Sequence, residues 1–202
     1  EFWSLPLKVT RDVLIPRPET ELLVETALDR IPADAEWRIA DLGTGSGAVA
    51  LALASERPRC EIHATESSQA ALSVARQNAE SIPHRHICFH LGSWLEPLQG
   101  RFQVIVSNPP YVASNDPHLQ EGDCRFEPRQ ALTPGSDGMA AIRHIAEETR
   151  NYLAQGGMLA FEHGHDQGHS ARRLLAQLAY DDVITLRDLA GLERVTRGTW
   201  NG

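Results

Sequence analysis

The sequence predicts an α/β fold in which helices wind doubly around a mostly parallel, seven-stranded sheet. Two observations support this prediction. From residue 38 onward, short apolar runs of strand length alternate with helical stretches, a pattern typical of parallel sheets. A glycine-rich turn at residues 43–47 joins the first apolar run to an Ala- and Leu-rich stretch, as in a strand–turn–helix unit. The predicted strands cover residues 39–42, 60–65, 87–91, 102–107, 158–162, 183–187 and 192–199.

The N-terminal segment, residues 1–32, is predicted as a unit ahead of the main domain, residues 33–202. Loose alternation of apolar residues over 2–9 and 13–15 predicts a short strand pair. Pro18 fits the first position of the amphipathic helix that follows, because its fixed φ suits a helix start. The N-terminal unit is therefore a strand pair and a capping helix.

The remaining helices lie between the predicted strands. Serine at position 68 suits the N-cap of one of them. A long connection rich in proline, residues 112–137, interrupts the pattern, and connections of this length are usually functional or disordered. Arg17 and Glu19 fall at the start of the first helix, where the spacing fits a solvated helix start and a ligand contact equally well. The predicted helices cover residues 48–54, 68–80, 136–154 and 170–179.

Composition limits the partners that we expect. The formal net charge is −8 and only one lysine is present, so an acidic chain without a basic run is a poor match for a phosphate backbone. No apolar run approaches the ~18 residues of a membrane span. Cys60, Cys88 and Cys124 are odd in number and form no Cys-x-x-Cys pair, which favours a reduced compartment. We therefore expect a cytoplasmic protein that binds neither nucleic acid nor membrane.

The glycine turn predicts a binding site. Gly43, Gly45 and Gly47 alternate with Thr44 and Ser46, and glycine lets a ligand approach bare backbone. The spacing Gly-x-Gly-x-Gly is one residue shorter than the dinucleotide fingerprint, which disfavours a pyrophosphate cradle. The turn could also simply join strand to helix.

Two side chains past neighbouring strand ends extend this site. Glu66 closes the second strand, at about the spacing where an acid binds ribose hydroxyls. Ribose without pyrophosphate indicates S-adenosylmethionine. Trp94 follows the third strand, where it could flank an adenine or pack at the edge of the core.

A run of histidines at positions 163, 165 and 169 resembles a metal cluster, but its spacing matches none of the common zinc motifs. We interpret these three histidines as part of a polar surface loop and expect no metal.

The segment Asn108-Pro109-Pro110-Tyr111 directly follows the fourth strand. Proline has no N–H, so the segment offers acceptors, namely the Asn108 side-chain oxygen and the Pro109 carbonyl, to a planar amino group. Tyr111 offers a flat surface for stacking. A rigid turn that only ends the strand is the other interpretation. An amide nitrogen is a weak nucleophile and a sulfonium methyl is an activated electrophile, so alignment at ~3–3.5 Å is the main requirement.

Five motifs together resemble the HemK/PrmC-type release factor glutamine methyltransferases, a family of class I, Rossmann-like enzymes. The resemblance covers essentially the whole chain. It rests on Asp-Leu-Gly-Thr-Gly-Ser-Gly at 41–47, Asn-Pro-Pro-Tyr at 108–111, Ile-Pro-Arg-Pro-Glu-Thr-Glu at 15–21, Phe-Glu-Pro at 126–128 and Glu-Arg-Val-Thr at 193–196.

The resemblance implies methyl transfer from S-adenosyl-L-methionine to the glutamine amide of the Gly-Gly-Gln motif in peptide chain release factors, leaving S-adenosyl-L-homocysteine. It implies that residues 43–47, Glu66, Trp94 and Asn108 hold the cofactor, and that residues 108–111 position the glutamine, with Asn108, Pro109 and Tyr111 catalytic. Family members often have aspartate at the position of Glu66. They also carry a helical N-terminal domain, so we expect this chain to be a fragment. We also expect a monomer.

Three alternatives remain at this stage. A DNA adenine methyltransferase would use the same asparagine segment to grip a flipped base, although the acidic charge disfavours it. A nicotinamide oxidoreductase conflicts with the glycine spacing. A catalytically silent module that binds S-adenosylmethionine and acts through protein contacts conflicts with the intact segment 108–111.

Overall fold

The computed structural model describes residues 1–82, 87–115 and 125–202. The strands are β1 (Arg38–Leu42), β2 (Glu61–Glu66), β3 (Ile87–Leu91), β4 (Phe102–Ser107), β5 (Leu153–Glu162), β6 (Asp181–Arg187) and β7 (Glu193–Trp200). The helices are α1 (Glu21–Arg30), α2 (Ala48–Glu56), α3 (Gln69–Glu80), α4 (Arg129–Leu132), α5 (Ala140–Glu148) and α6 (Gly168–Gln177). Short 3₁₀ segments cover Pro18–Thr20 and Thr149–Asn151.

The strands form one seven-stranded sheet in the order β3-β2-β1-β4-β5-β7-β6. Strands β1 to β5 pair in parallel, whereas β7 runs antiparallel to both of its neighbours, β5 and β6. The predicted fold class, a mostly parallel seven-stranded sheet, is confirmed. The strand order reverses between β1 and β4, and ligands of open α/β sheets bind at such a switch point.

Helices cover both faces of the sheet, as a doubly wound fold requires. Ile39 of β1 packs with Leu23 of α1 and Leu53 of α2 on one face. The next residue, Ala40, faces the other side and joins a second core with Ile142 of α5. This opposition follows from the two-residue period of a strand. Both cores are closed to water, because these side chains are fully buried.

The predicted N-terminal strand pair is wrong. Over residues 1–17 the structure has one isolated bridge, between Phe2 and Leu5, and no strand. The backbone groups find side-chain partners instead: the Lys8 N–H donates to Asn78 Oδ1 at 2.8 Å, and the Ile15 N–H donates to Glu127 Oε1 at 3.0 Å. A segment whose N–H groups are satisfied this way has no need of a ladder. The capping helix is as predicted, with Pro18 at its start.

The boundary between α5 and β5 also differs from the prediction of a helix over 136–154. The helix ends at Glu148, and β5 begins at Leu153, where it pairs with Phe102 of β4. Gly156, with φ +72°, lies inside β5 at a shift of register and does not precede the strand. Glycine in a strand pattern can thus mark an irregularity within the strand.

Other local predictions hold. Ser68 caps α3 by accepting a hydrogen bond from the Ala71 N–H at 3.2 Å.

Cys60 is buried and Cys88 is exposed. Cys124 and residues 116–124 of the long connection lie outside the described residues. Within the described part of the chain, no helix is long and apolar enough to cross a membrane.

Candidate active site

An open cleft lies at the carboxyl ends of β1, β2 and β4, at the switch point of the sheet. Eight of the side chains and glycines predicted for the site line it, while Gly47, Pro109 and Tyr111 lie outside the described lining. Gly47 instead starts α2, where its φ of +86° suits glycine. The predicted residues that line the cleft are Gly43, Thr44, Gly45, Ser46, Glu66, Trp94, Asn108 and Pro110.

The glycine loop follows β1 and bends across the end of β2. The N–H groups of Gly43 and Thr44 both donate to the Thr65 carbonyl at 2.9 Å. Gly43 has φ +71°, and a Cβ built on it would lie 3.0 Å from Trp94 Cζ3. The indole ring of Trp94 therefore lies against the bare backbone of Gly43, and a side chain at position 43 would displace the ring.

Glu66 fastens the loop to α3. Its Oε2 accepts the Gly45 N–H at 3.0 Å, and its Oε1 accepts the Ser68 N–H at 2.9 Å. Oε1 also accepts the Ser67 hydroxyl at 3.4 Å, and because a carboxylate has about four acceptor sites, one site stays free on Oε2. Glu66 can therefore fix the loop and also accept a hydroxyl group from a ligand.

Trp94 packs at the edge of the core, and its contact with an adenine stays a prediction. Its side chain lines the cleft and also packs against the core that contains Leu95 and Leu98. Its φ is +46°, an uncommon conformation for a bulky residue. A tightly supported ring at the rim of a cleft can act as one wall for a planar ligand.

Asp41 lies at the floor of the cleft, and the sequence analysis did not single it out. Its carboxyl group is 1% exposed and accepts a hydrogen bond from the Thr44 hydroxyl at 2.6 Å. Burial raises the pKa of Asp41 to about 6. The signal was present in the sequence, since an acid stands inside the apolar run that leads into the glycine loop, one residue before its end.

The charges of the cleft select the kind of ligand. Its described lining contains three acids, Asp12, Asp41 and Glu66, and no Arg, Lys or His. Such a lining attracts a cation and repels phosphate. S-adenosylmethionine, which carries a sulfonium, an ammonium and a carboxylate but no phosphate, fits this donor set, and a nicotinamide dinucleotide does not.

The raised pKa of Asp41 predicts a dependence of stability on pH. The pKa in the folded state is about 6 and the ordinary value is 3.8, so the folded protein holds this proton more tightly than the unfolded chain does. The contribution of Asp41 to the free energy of unfolding therefore falls as pH rises from about 4 to about 6, and stays low above. Asp41→Asn removes this loss. The free energy of unfolding of the variant minus that of wild type should therefore be about 2 kcal/mol larger at pH 8 than at pH 4.5.

Urea unfolding of both proteins across this pH range, followed by tryptophan fluorescence, measures the difference. A difference that stays constant with pH would show that the buried group is ionised at little cost.

Asn108 follows β4 and lies opposite the glycine loop. Its Nδ2 donates to Thr20 Oγ1 at 3.1 Å, and no donor among the described residues bonds its Oδ1. The oxygen is thus available as an acceptor at the cleft. The Pro109 side chain is buried. Neither Pro109 nor Pro110 has an N–H, so the only backbone hydrogen-bonding groups of the two prolines are their carbonyl oxygens, which are acceptors.

Tyr111 is anchored more deeply than predicted. Its hydroxyl donates to Glu162 Oε1 at 2.9 Å, and its ring packs against the second core. Burial, followed by the Glu162 charge, raises the pKa of Tyr111 well above its ordinary value. The residue stays a neutral phenol, and its role as a stacking surface remains a prediction.

Comparisons with known proteins agree with this geometry. A family model described as the methyltransferase small domain matches residues 18–123. The chain is 52% identical over 201 residues to the release factor glutamine methyltransferase of Escherichia coli K12, covering 99% of this chain and 72% of that protein. It is 50% identical over 202 residues to the protein of the same name from Vibrio cholerae, covering 99% of this chain and 70% of that protein. The chain belongs to the release factor glutamine methyltransferase family.

Solved structures support the same fold. A protein-(glutamine-N5) methyltransferase from Alicyclobacillus acidocaldarius, described as release factor-specific, superposes with a TM-score of 0.57 at 28% identity over 97% of this chain and 100% of that chain. A methyltransferase from Pyrococcus furiosus superposes with a TM-score of 0.73 at 17% identity, over 98% of this chain and 90% of that chain.

In this member of the glutamine methyltransferase family, an ion pair with two hydrogen bonds joins two of the motifs found in the sequence. The Arg17 guanidinium donates to both oxygens of Glu127, at 2.8 and 2.9 Å, and the Glu127 side chain is 3% exposed. This ion pair connects the Pro-Arg-Pro segment to the Phe-Glu-Pro segment across 110 residues of sequence. It favours a structural role for Arg17. Glu19 is exposed.

The histidine prediction needs a correction. His163 is fully buried, where its Nε2 lies 2.8 Å from Thr196 Oγ1 and its Nδ1 lies 2.8 Å from the Gly164 carbonyl. His165 is exposed in a turn, as predicted, whereas His169 is exposed on the first turn of α6 and does not lie in a loop. His163 differs because it directly continues the buried end of β5.

Another polar cluster of the methyltransferase lies on β2 and β3, away from the cleft. Ligating atoms of Glu61, His63 and Cys88 lie within 4.8 Å of one another. An Arg38 nitrogen lies 3.2 Å from His63 Nε2, and Arg38 also pairs with Glu61 at 3.2 Å. The Arg38 guanidinium already pairs with the one carboxylate of this cluster, and its positive charge would repel a metal ion.

Proposed function

We propose that this chain transfers a methyl group from S-adenosylmethionine to the side-chain amide nitrogen of the glutamine in the Gly-Gly-Gln motif of peptide chain release factors. The observation that carries the proposal is the position of Asn108. Its amide nitrogen is committed to Thr20, so its oxygen is left as an acceptor at a cleft with three acids and no base in its described lining. The names of the family members supply the substrate.

The residues of the cleft suit the cofactor group by group. The glycine loop offers bare backbone, Glu66 keeps an acceptor site on Oε2 for a ribose hydroxyl, and Trp94 forms a planar wall. The buried Asp41 carboxylate suits a positive charge, and cation binding would lower its pKa again. When bound, the cofactor supplies an activated methyl group.

The asparagine segment orients the acceptor substrate. Asn108 Oδ1 and the Pro109 carbonyl each accept one N–H of the glutamine amide, which places the nitrogen and directs it at the methyl group. The nitrogen would form the N–C bond as the C–S bond of the sulfonium breaks, S-adenosyl-L-homocysteine would be the leaving group, and the nitrogen would release one proton to water. Alignment alone can contribute several kcal/mol to such a transfer, so no nucleophilic side chain is required.

The remaining assignments extend this proposal. The release factor is the protein partner, and the enzyme acts as a monomer in the cytoplasm, where translation ends. The acidic cleft disfavours the phosphate backbone of nucleic acid. Residues 108–111 bind the substrate, Asn108 also contacts the cofactor, and Asn108, Pro109 and Tyr111 lie at the reacting amide.

Mass spectrometry of two candidate substrates tests the function. The protein is incubated with S-adenosylmethionine and either a release factor or a duplex DNA that contains adenine. We expect a single added methyl on the Gly-Gly-Gln glutamine and none on the DNA, whereas a release factor whose glutamine is replaced by alanine stays unmodified. Methylated adenine together with an unmodified release factor would contradict the proposal and favour the DNA enzyme.

A further inference from the structure

Glu162 is a buried acid to which no role has been assigned. It ends β5, its side chain is 1% exposed, and it lies outside the described lining of the cleft. Its two oxygens are both engaged. Oε2 accepts the Thr20 hydroxyl at 2.7 Å, and Oε1 accepts the Tyr111 hydroxyl at 2.9 Å.

The direction of these hydrogen bonds determines the orientation of Asn108. An ionised carboxylate can only accept, so the single proton of the Thr20 hydroxyl must point at Glu162. The Thr20 oxygen can then only accept from Asn108, which must present its nitrogen. The observed 3.1 Å contact from Asn108 Nδ2 to Thr20 Oγ1 is the arrangement that this logic requires. The Asn108 oxygen is thereby turned toward the cleft.

We propose that Glu162 is a positioning residue that sets the orientation of the Asn108 amide through Thr20 and holds the Tyr111 ring in place. The inference rests on the proposed function and deepens it. A site that presents an acceptor selects an amino group as substrate, and a flipped Asn108 amide would present a donor that repels it.

The surroundings of Glu162 keep Oε2 an acceptor. Burial raises the pKa of Glu162, while the two hydroxyl groups and the positive charge of Arg194 oppose this rise and Glu19 adds to it. A proton on Oε1, facing Tyr111, would still leave Oε2 free to accept from Thr20. The orientation of Thr20 therefore survives protonation at Oε1.

Three variants test the chain of contacts. Glu162→Leu removes both acceptors and keeps a similar side-chain volume, so the Thr20 hydroxyl is free to point at Asn108. Thr20→Val removes the relay and keeps the volume, whereas Thr20→Ser keeps the hydroxyl. Thr149→Val is the matched control, because Thr149 is a fully buried threonine whose hydroxyl bonds Tyr180 and the Ile145 carbonyl away from the cleft.

We expect Glu162→Leu and Thr20→Val to lower kcat on a release factor by about tenfold to 100-fold, with the Kd for S-adenosylmethionine changed by less than about threefold. Thr20→Ser should stay near wild type, and Thr149→Val should change the melting temperature but not kcat. In an Asn108→Ala background, Thr20→Val should have little further effect on kcat, because its action runs through Asn108. Additive losses in this double variant, or full activity of Thr20→Val, would overturn the inference.

A measurement without catalysis separates this inference from the proposed function. The side-chain amide of Asn108 gives a ¹⁵N–¹H pair of NMR signals, assigned by their loss in Asn108→Ala. We expect slowed hydrogen exchange at one amide proton in wild type and Thr20→Ser, and faster exchange in Glu162→Leu and Thr20→Val. If wild type modifies no release factor, the proposed function fails, and these exchange rates still decide the role of Glu162. Equal exchange in all four proteins would refute it.

Discussion

Asn108→Ala is expected to lower turnover by about 10²-fold or more, because it removes one of the two acceptors that orient the reacting nitrogen. Small misplacements of reacting groups carry penalties of this size. Cofactor affinity should change much less than turnover, since the glycine loop and Glu66 are held by contacts that do not involve Asn108. Methyl incorporation into a release factor, measured with saturating cofactor, gives kcat, and calorimetry gives the affinity.

The control for this experiment is Asn151→Ala, an exposed asparagine after α5, which should leave both quantities unchanged. Turnover of Asn108→Ala close to that of wild type would refute the positioning role of this residue.

Gly45→Val is expected to reduce S-adenosylmethionine binding by on the order of 100-fold, a loss of about 2.7 kcal/mol of binding free energy. A Cβ built on Gly45 meets no atom within 4 Å, and Gly45 lines the cleft, so a valine side chain would project into the space a ligand needs. The φ of +55° adds backbone strain to this obstruction.

Gly191→Val separates these two effects. Gly191 lies in the turn before β7 with φ +80°, and a Cβ there also meets no atom within 4 Å. It therefore imposes a comparable strain far from the cleft and should leave binding unchanged by calorimetry. Equal losses in both variants would attribute the effect to strain, and undiminished binding in Gly45→Val would place the cofactor elsewhere. Circular dichroism checks that each variant is folded.

The sequence predicted the parts of this protein that local pattern determines. Strand and helix periodicity, the glycine spacing and the position of Asn108 after an apolar strand are read within a few residues. Parallel strands end at one edge of the sheet, so Gly43, Glu66 and Asn108 could be placed together before the structure was known.

The parts that were missed depend on residues far apart in the chain. The Thr20 hydroxyl meets Glu162 across 142 residues of sequence, a contact that no local pattern contains. His163 was interpreted as a surface residue because its neighbours in sequence are polar, while its burial comes from β7. The N-terminal segment has the alternation of a strand but bonds Asn78 and Glu127, which periodicity cannot predict.

The insertion of β7 between β5 and β6 determines what happens to a truncated form of this protein in a cell. A chain cut before residue 193 would leave two strands with open edges at once, and such edges are templates for pairing with other chains. The loss would also remove the fully buried Val195 from the core that contains Ile39 and Leu53. Such a product would be prone to self-association and would be a substrate for chaperones and proteases, so that incomplete molecules are removed and do not persist as weakly active enzymes.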